Sequence, residues 1–201
     1  MQKKSSTLNE FIKPSSIYRG KPFWSWNGKL DKNELLRQLD VMKEMGLGGA
    51  FMHSRTGLAT EYLSDEWFSL INACAEHCKK NEMEAWLYDE DRWPSGAAGG
   101  IVTKNKKFRM KSLHININSA GNYKYSKGHI AIFAIELDGD ELKSYKRITK
   151  EEVKKNTEKQ IMYCEIRTQE PSSWYNGQTY LDTMSEEAVS EFIKVTHKAY
   201  K

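Results

Sequence analysis

Apolar positions in the first hundred residues follow two rhythms that take turns along the chain. Lys21-Pro22-Phe23-Trp24-Ser25-Trp26 is a short aromatic run closed by Asn27-Gly28, the pattern of a buried strand ending in a turn. Asp31 with Glu34 three residues later forms a capping box, and Leu35, Leu36, Leu39, Met42 and Met45 recur at helical spacing until Gly46. The phrase then repeats. Leu47-Gly48-Gly49-Ala50-Phe51-Met52 reads as a strand, and Ser64 caps a helix whose face holds Phe68, Ile71, Ala75 and Cys78. Glu84 to Tyr88 forms a third strand, with Trp86 expected in the core. Strands without polar alternation, separated by amphipathic helices, predict a parallel sheet covered on its faces.

From about Arg109 the pattern changes. His114 to Asn118, Ile130 to Leu137 and Ile161 to Arg167 are strand-like, with a turn at Asp138-Gly139-Asp140 and a short helix around Glu151 to Asn156. The βα rhythm resumes at Thr179-Tyr180-Leu181-Asp182, and Ser185 caps a helix carrying Ala188, Val189, Phe192, Ile193, Thr196 and Tyr200. The expected organisation is a lead-in at 1–18, three βα units at 19–108, a β-rich insertion at 109–170 and a fourth βα unit at 171–201. Four units fit either a smaller open α/β protein or the first half of a (β/α)8 barrel, which takes eight units and about 250 residues.

Composition narrows the function classes. With 201 residues, 6 Trp, 10 Tyr and only 4 Pro, the chain is expected to fold and to bury a sizeable core. The net charge of +4 is densest at Lys104, Lys106, Lys107, Arg109 and Lys111, which reads as a solvated loop, so no nucleic-acid partner is expected. Cys74, His77 and Cys78 share one helical face, yet zinc sites use knuckle spacings and four ligands, so buried thiols are the expectation. The amino-terminal MQKKSSTLNEFIKP lacks the apolar run of a signal peptide, and no stretch reaches about 18 apolar residues. The expected setting is the cytoplasm, without a membrane partner.

Candidate chemistry gathers where the strands end, which is where α/β folds bind ligands. After the first come Trp26 and Asn27; after the second, His53, Ser54, Arg55 and Thr56; after the third, Asp89, Glu90, Asp91, Arg92 and Trp93; after the fourth, Asp182. Aromatic faces cover the CH patches of sugars, and carboxylates or guanidinium groups bridge their hydroxyls, so Trp24, Trp26 and Trp93 are candidate faces. A carboxylate among Asp89, Glu90 and Asp91 can serve catalysis or hold a hard cation. The plainer reading stands beside this one: Arg92 or Arg55 can tie one acid into a structural salt bridge, and His53 alone reads as an ordinary hydrogen-bonded histidine. Gly96, Gly99 and Gly100 lack the Lys-Ser/Thr of a P-loop and the GxGxxG order, so no nucleotide site is expected.

Three motifs in order, Phe23-Trp24-Ser25-Trp26-Asn27-Gly28, Gly48 to Leu58 and Tyr88-Asp89-Glu90-Asp91-Arg92-Trp93-Pro94-Ser95-Gly96, resemble the amino-terminal part of the catalytic barrel of glycoside hydrolase family 106, the α-L-rhamnosidases and their relatives. The resemblance covers about residues 20 to 103 and resumes at Trp174-Tyr175-Asn176-Gly177 through Asp182. It implies a partial TIM (β/α)8 barrel of about four βα units. It also implies inverting hydrolysis of terminal α-L-rhamnosides or related deoxy-sugar glycosides with bound calcium. Glu90 would be the leading catalytic carboxylate, with Asp89 or Asp91 next, and Trp24, Trp26, Asn27, His53, Arg55, Trp93 and Asp182 would meet the sugar. The family's later strands have no counterpart before Lys201, so one member of the catalytic pair is expected to be missing, and unpaired sheet edges are expected to drive self-association. The alternative reading is a noncatalytic carbohydrate-binding protein.

Overall fold

The helix signals at Asp31, Ser64 and Ser185 translate directly into helices, because each of these starts is closed by a side chain. In the computed structural model, which describes residues 3–156 and 159–201, α1 (Lys3–Ile12) precedes β1 (Phe23–Gly28) and α2 (Lys32–Glu44). Asp31 accepts the Glu34 N–H at 2.9 Å, while the Glu34 carboxylate turns outward to Arg37 and Gln38, so half of the capping box forms. After β2 (Gly49–Leu58), Ser64 Oγ accepts the Trp67 N–H and starts α3 (Asp65–Lys80). Asp65 and Glu66 in the first turn and Lys79 and Lys80 in the last complement its dipole. The lead-in helix α1 was not legible from apolar spacing.

Two compact units result, one formed by the chain up to Phe108 together with Pro171–Lys201, the other by Arg109–Glu170. In the first, β1, β2 and β3 (Glu84–Asp91) form a parallel sheet in the order β1-β2-β3. Trp24 and Trp26 of β1 and Met52 of β2 point to one face, where they pack with Leu35, Leu39, Trp67 and Ile71 of α2 and α3. Trp26 meets Trp24 and Trp67 edge to face at 5.3 and 5.2 Å. Burying one indole removes roughly 200 Å² from water, worth about 5 kcal/mol.

The partial TIM barrel expected from the sequence is not what forms. Among the described residues three strands run parallel, their sheet does not close, and the expected fourth strand at Thr179–Asp182 joins neither sheet. The physical reason lies in the loop after β3. Leu181 packs so tightly on Gly96 that a Cβ there would sit 2.9 Å from it, and the Asp182 N–H bonds to the Phe108 carbonyl at 2.8 Å, so this segment serves the loop and not the β3 edge. The helix that follows, α4 (Glu186–Val195), does form, capped by Ser185, and Phe192 and Ala188 share a cluster with Val102, Phe108 and Leu181. The helices sheathe one face of the sheet, so Trp86, expected in the core, is 45% exposed on the other.

The second unit is an antiparallel sheet of β4 (Lys111–Ser119), β5 (His129–Asp138), β6 (Glu141–Arg147) and β7 (Gln160–Thr168) in the order β4-β7-β5-β6. Gly139, with φ +62°, sits in the turn that lets Asp138 pair with Glu141, and Ile132, Ala134, Ile148, Val153 and Ile161 form the core.

Close backbone packing at the start of β2 yields a stability prediction. A Cβ on Gly49 would lie 2.1 Å from the Glu84 carbonyl oxygen, whereas one on Gly121 meets nothing within 4 Å. Gly49→Ala is expected to cost about 1–3 kcal/mol in urea denaturation, and Gly121→Ala to stay within about 0.5 kcal/mol of the parent.

Candidate active site

Side chains alternate across a strand, so the face opposite the tryptophan core collects Phe23 from β1, Phe51, His53 and Arg55 from β2, and Trp86, Tyr88 and Glu90 from β3. The polar residues are the last turns of the pleat and not a loop beyond it: His53 to Thr56 lie inside β2, and Asp89 to Asp91 inside β3. Pairing is irregular there. Met52 pairs with Leu87 but Ser54 with Asp91, so a two-residue step on β2 faces a four-residue step on β3, and Tyr88, Asp89 and Glu90 stand opposite His53.

That slip sends the three acids to different partners. Glu90, 7% exposed, meets the fully buried His53, with Nε2 to Oε1 at 3.1 Å. The imidazole is held between Phe23 and Tyr88, with ring centroids 4.3 and 4.4 Å away. Asp91 accepts from Ser54 Oγ in a short contact and from Arg92 Nη2 at 2.7 Å. It also presses on Gly99, where a Cβ would sit 2.8 Å from Asp91 Oδ2; Gly99 has φ +67°, so glycine is required on two grounds. Asp89 accepts from Ser95 Oγ at 3.0 Å and lies 3.9 Å from His197 Nε2. Asp91 is thus a structural anchor and Asp89 a partly exposed neighbour of the carboxyl-terminal segment.

Electrostatics sets Glu90 and His53 apart. Burial, reinforced by the Asp89 charge, raises the Glu90 pKa, with Arg55 pulling the other way. Burial, followed by the Arg55 charge, lowers His53 from 6.5 to about 4. Both groups are therefore biased toward their neutral forms. His53 Nδ1 is buried and has no hydrogen-bond partner among the described residues, an unmet polar atom directly behind the pair. A carboxyl biased toward its protonated form beside a neutral imidazole is an arrangement that can give and take a proton.

The other expected site residues separate into groups. Arg55 is exposed and stands 5.9 Å from the Phe23 ring, beside the pair. Asn27 is exposed at the end of β1, its Cβ next to Gly57. Trp24 and Trp26, at 7% and 1% exposed, lie in the helix-side core and have no face to offer a sugar. Asp182 stands in the turn before α4, where its carboxylate accepts the Met184 N–H at 3.3 Å. Trp93 gathers partners that sequence reasoning had not assigned to the site. Tyr175 stacks on it at 4.9 Å, Tyr180 and Trp174 meet it edge-on at 5.4 and 6.2 Å, and Asn176 donates to its carbonyl at 2.7 Å. Their signal was the Trp174-Tyr175-Asn176-Gly177 run, which no strand period marks. Asn176 also accepts from Thr56 Oγ1 at 3.4 Å, which ties this aromatic group to the end of β2.

Among the described residues no three acidic, histidine or cysteine side chains converge as a metal shell, and Asp89, Glu90 and Asp91 are each engaged separately. Cys74 and Cys78 are buried in α3 with thiols pushed up to about 12 and about 11 by burial, while His77 bonds Asp40 at 2.6 Å. A cavity of about 760 Å³ opens at the other end of the strands, among Ser16, Arg19, Lys43, Lys79 and Met83. No described helix is long and apolar enough to cross a membrane.

No protein-family model matches the sequence, and no curated protein does. Among solved structures the chain is similar to a rhamnosidase from Novosphingobium sp. PP1Y, at 18% identity with a TM-score of 0.46. The match covers 63% of this chain and 15% of that one, so the chain spans a small fraction of that protein's length.

The buried imidazole predicts a pH dependence of stability. A His53 pKa near 4 in the folded state, below the ordinary 6.5, means the unfolded chain takes up this proton first. Its contribution is fully present above pH 6.5 and is lost as pH falls toward 4; Glu90, with a raised pKa, acts with the opposite sign, losing stability as pH rises through its folded value. Thermal melts of the parent and His53→Gln should therefore show the parent losing stability relative to the variant between pH 6.5 and 4. A constant difference across that range would contradict the lowered pKa.

Proposed function

We propose that the open face of β1–β2–β3 carries the proton-donating half of a glycoside hydrolase centre, acting on terminal α-L-rhamnosides or related deoxy-sugar glycosides with inversion. The single observation that carries this reading is the buried Glu90 with its raised pKa, hydrogen-bonded to a His53 that burial holds neutral. The choice of sugar is supported by the resemblance of the three sequence motifs alone.

In this reading protonated Glu90 gives its proton to the glycosidic oxygen as the bond to the anomeric carbon breaks. Burial favours the acid form beforehand, and Arg55 stabilises the carboxylate left behind. His53 is a positioning residue: sandwiched by Phe23 and Tyr88, it fixes the Glu90 carboxyl and offers Nε2–H to the carboxylate once the proton is gone. An inverting reaction also needs a base roughly 6.5–9.5 Å from the acid to activate water. Asp89 and Asp91 do not supply it, because alternation along β3 turns both away from the Glu90 face.

A noncatalytic carbohydrate-binding role is favoured by a different observation, the aromatic group of Trp93, Trp174, Tyr175 and Tyr180, in which Trp174 is 76% exposed. Assays on nitrophenyl α-L-rhamnoside and other nitrophenyl glycosides, paired with calorimetry on free saccharides, separate the two. The hydrolase reading expects the parent's turnover, slow because Asp89 and Asp91 supply no base, to fall about 100-fold or more in kcat in Glu90→Gln while saccharide affinity stays within a few-fold. Saccharide binding without turnover, unchanged in Glu90→Gln, would establish the binding role instead.

A further inference from the structure

The two edges of the four-stranded sheet are built differently. β6 carries Glu141, Lys143, Lys146 and Arg147, and its pairing with β5 slips between Glu136 and Leu137. Charges and register slips are how proteins keep an edge from pairing with another chain. β4, whose sequence is KSLHININS, has neither through its middle. Its nine residues pair with β7 without a slip, it contains no proline, and Lys111 at its start is its only lysine.

Alternation then sorts the β4 side chains. Asn116 and Asn118 bond to Glu165 and Tyr163, and His114 lies with Ser112 and Arg167, so the polar set is occupied within the sheet. Leu113, Ile115 and Ile117 take the other face, where they are 59%, 61% and 46% exposed. Opposite them on β7 stand Ile166, Cys164 and Met162, which extend the apolar stripe inward from the edge. A regular edge, uncharged through its middle and bordering exposed aliphatic surface, is a surface built for a partner strand.

We propose that β4 pairs antiparallel with β4 of a second copy of this chain, about a twofold axis at Ile115. The strand is self-complementary in that register. Ile115 meets Ile115, Leu113 meets Ile117, His114 meets Asn116, Ser112 meets Asn118, and Lys111 faces Ser119, so aliphatic groups oppose aliphatic groups and no like charges meet. An isologous contact of this kind closes at two copies. The two four-stranded sheets become one continuous sheet, and the apolar stripes join across the axis.

Light scattering after size exclusion tests this on the full chain, whose monomer mass is 23.3 kDa. The expected result is twice that mass for the parent. Ile115→Lys and Ile115→Glu, each folded by circular dichroism, should shift dissociation to at least about 100-fold higher concentration, because like charges then meet on the axis. Mixing the two variants should restore the dimer. A monomeric parent, a dimer unaffected by either substitution, or a mixture that stays monomeric would overturn the proposal.

Discussion

The first unit depends on one constraint, the two-residue period of three parallel strands covered by helices on one side only. That period sends Trp24, Trp26 and Met52 into the helix-side core and leaves Phe23, Phe51, His53, Trp86, Tyr88 and Glu90 on the opposite face. Core and candidate site are thus the two sides of the same strands. The slip between Met52 and Ser54 adds the one departure from regularity, setting three residues of β3 against His53 and letting Glu90 lie buried beside it. Without it the acids would pass the end of β2 one for one.

Energetically, the His53–Glu90 pair is a concession made to chemistry. Burying two ionisable groups and leaving Nδ1 without a partner among the described residues costs stability, and an apolar pair would fill the same space more favourably. The surroundings limit the penalty by keeping both groups close to neutral, since burial moves their pKa values toward the uncharged forms. Asp91 has the opposite character. Ser54 and Arg92 satisfy it, Gly99 gives it room, and its task is to fasten the turn that follows β3.

Residues with local signals were legible in the sequence. Asp31, Ser64 and Ser185 each cap the helix that their positions predict, because a cap needs only its own next few N–H groups. Residues whose meaning depends on distant partners were not. Trp86 has the neighbours of a core strand yet faces outward, since nothing in a single strand says which face the helices cover. Trp24 and Trp26 had the right composition for sugar contact and the wrong side of the sheet. Thr179–Asp182 has the pattern of a strand, but packing against the Gly96 loop captures it first. The polar strand ends announced a site by composition, while the pairing of Glu90 with His53 came from a register slip that sequence period cannot show. Tyr175 and Tyr180 joined Trp93 across more than eighty residues of chain.

The central claim is that Glu90 is held protonated above the ordinary carboxyl range by its burial against a neutral imidazole. A carbon-13 NMR titration of the glutamate side-chain carboxyls, with the Glu90 resonance identified by its loss in Glu90→Gln, measures this directly. The account predicts a midpoint clearly above the ordinary 4.5. A midpoint at or below 4.5 would show that Glu90 is an ordinary surface-like acid and would contradict the account.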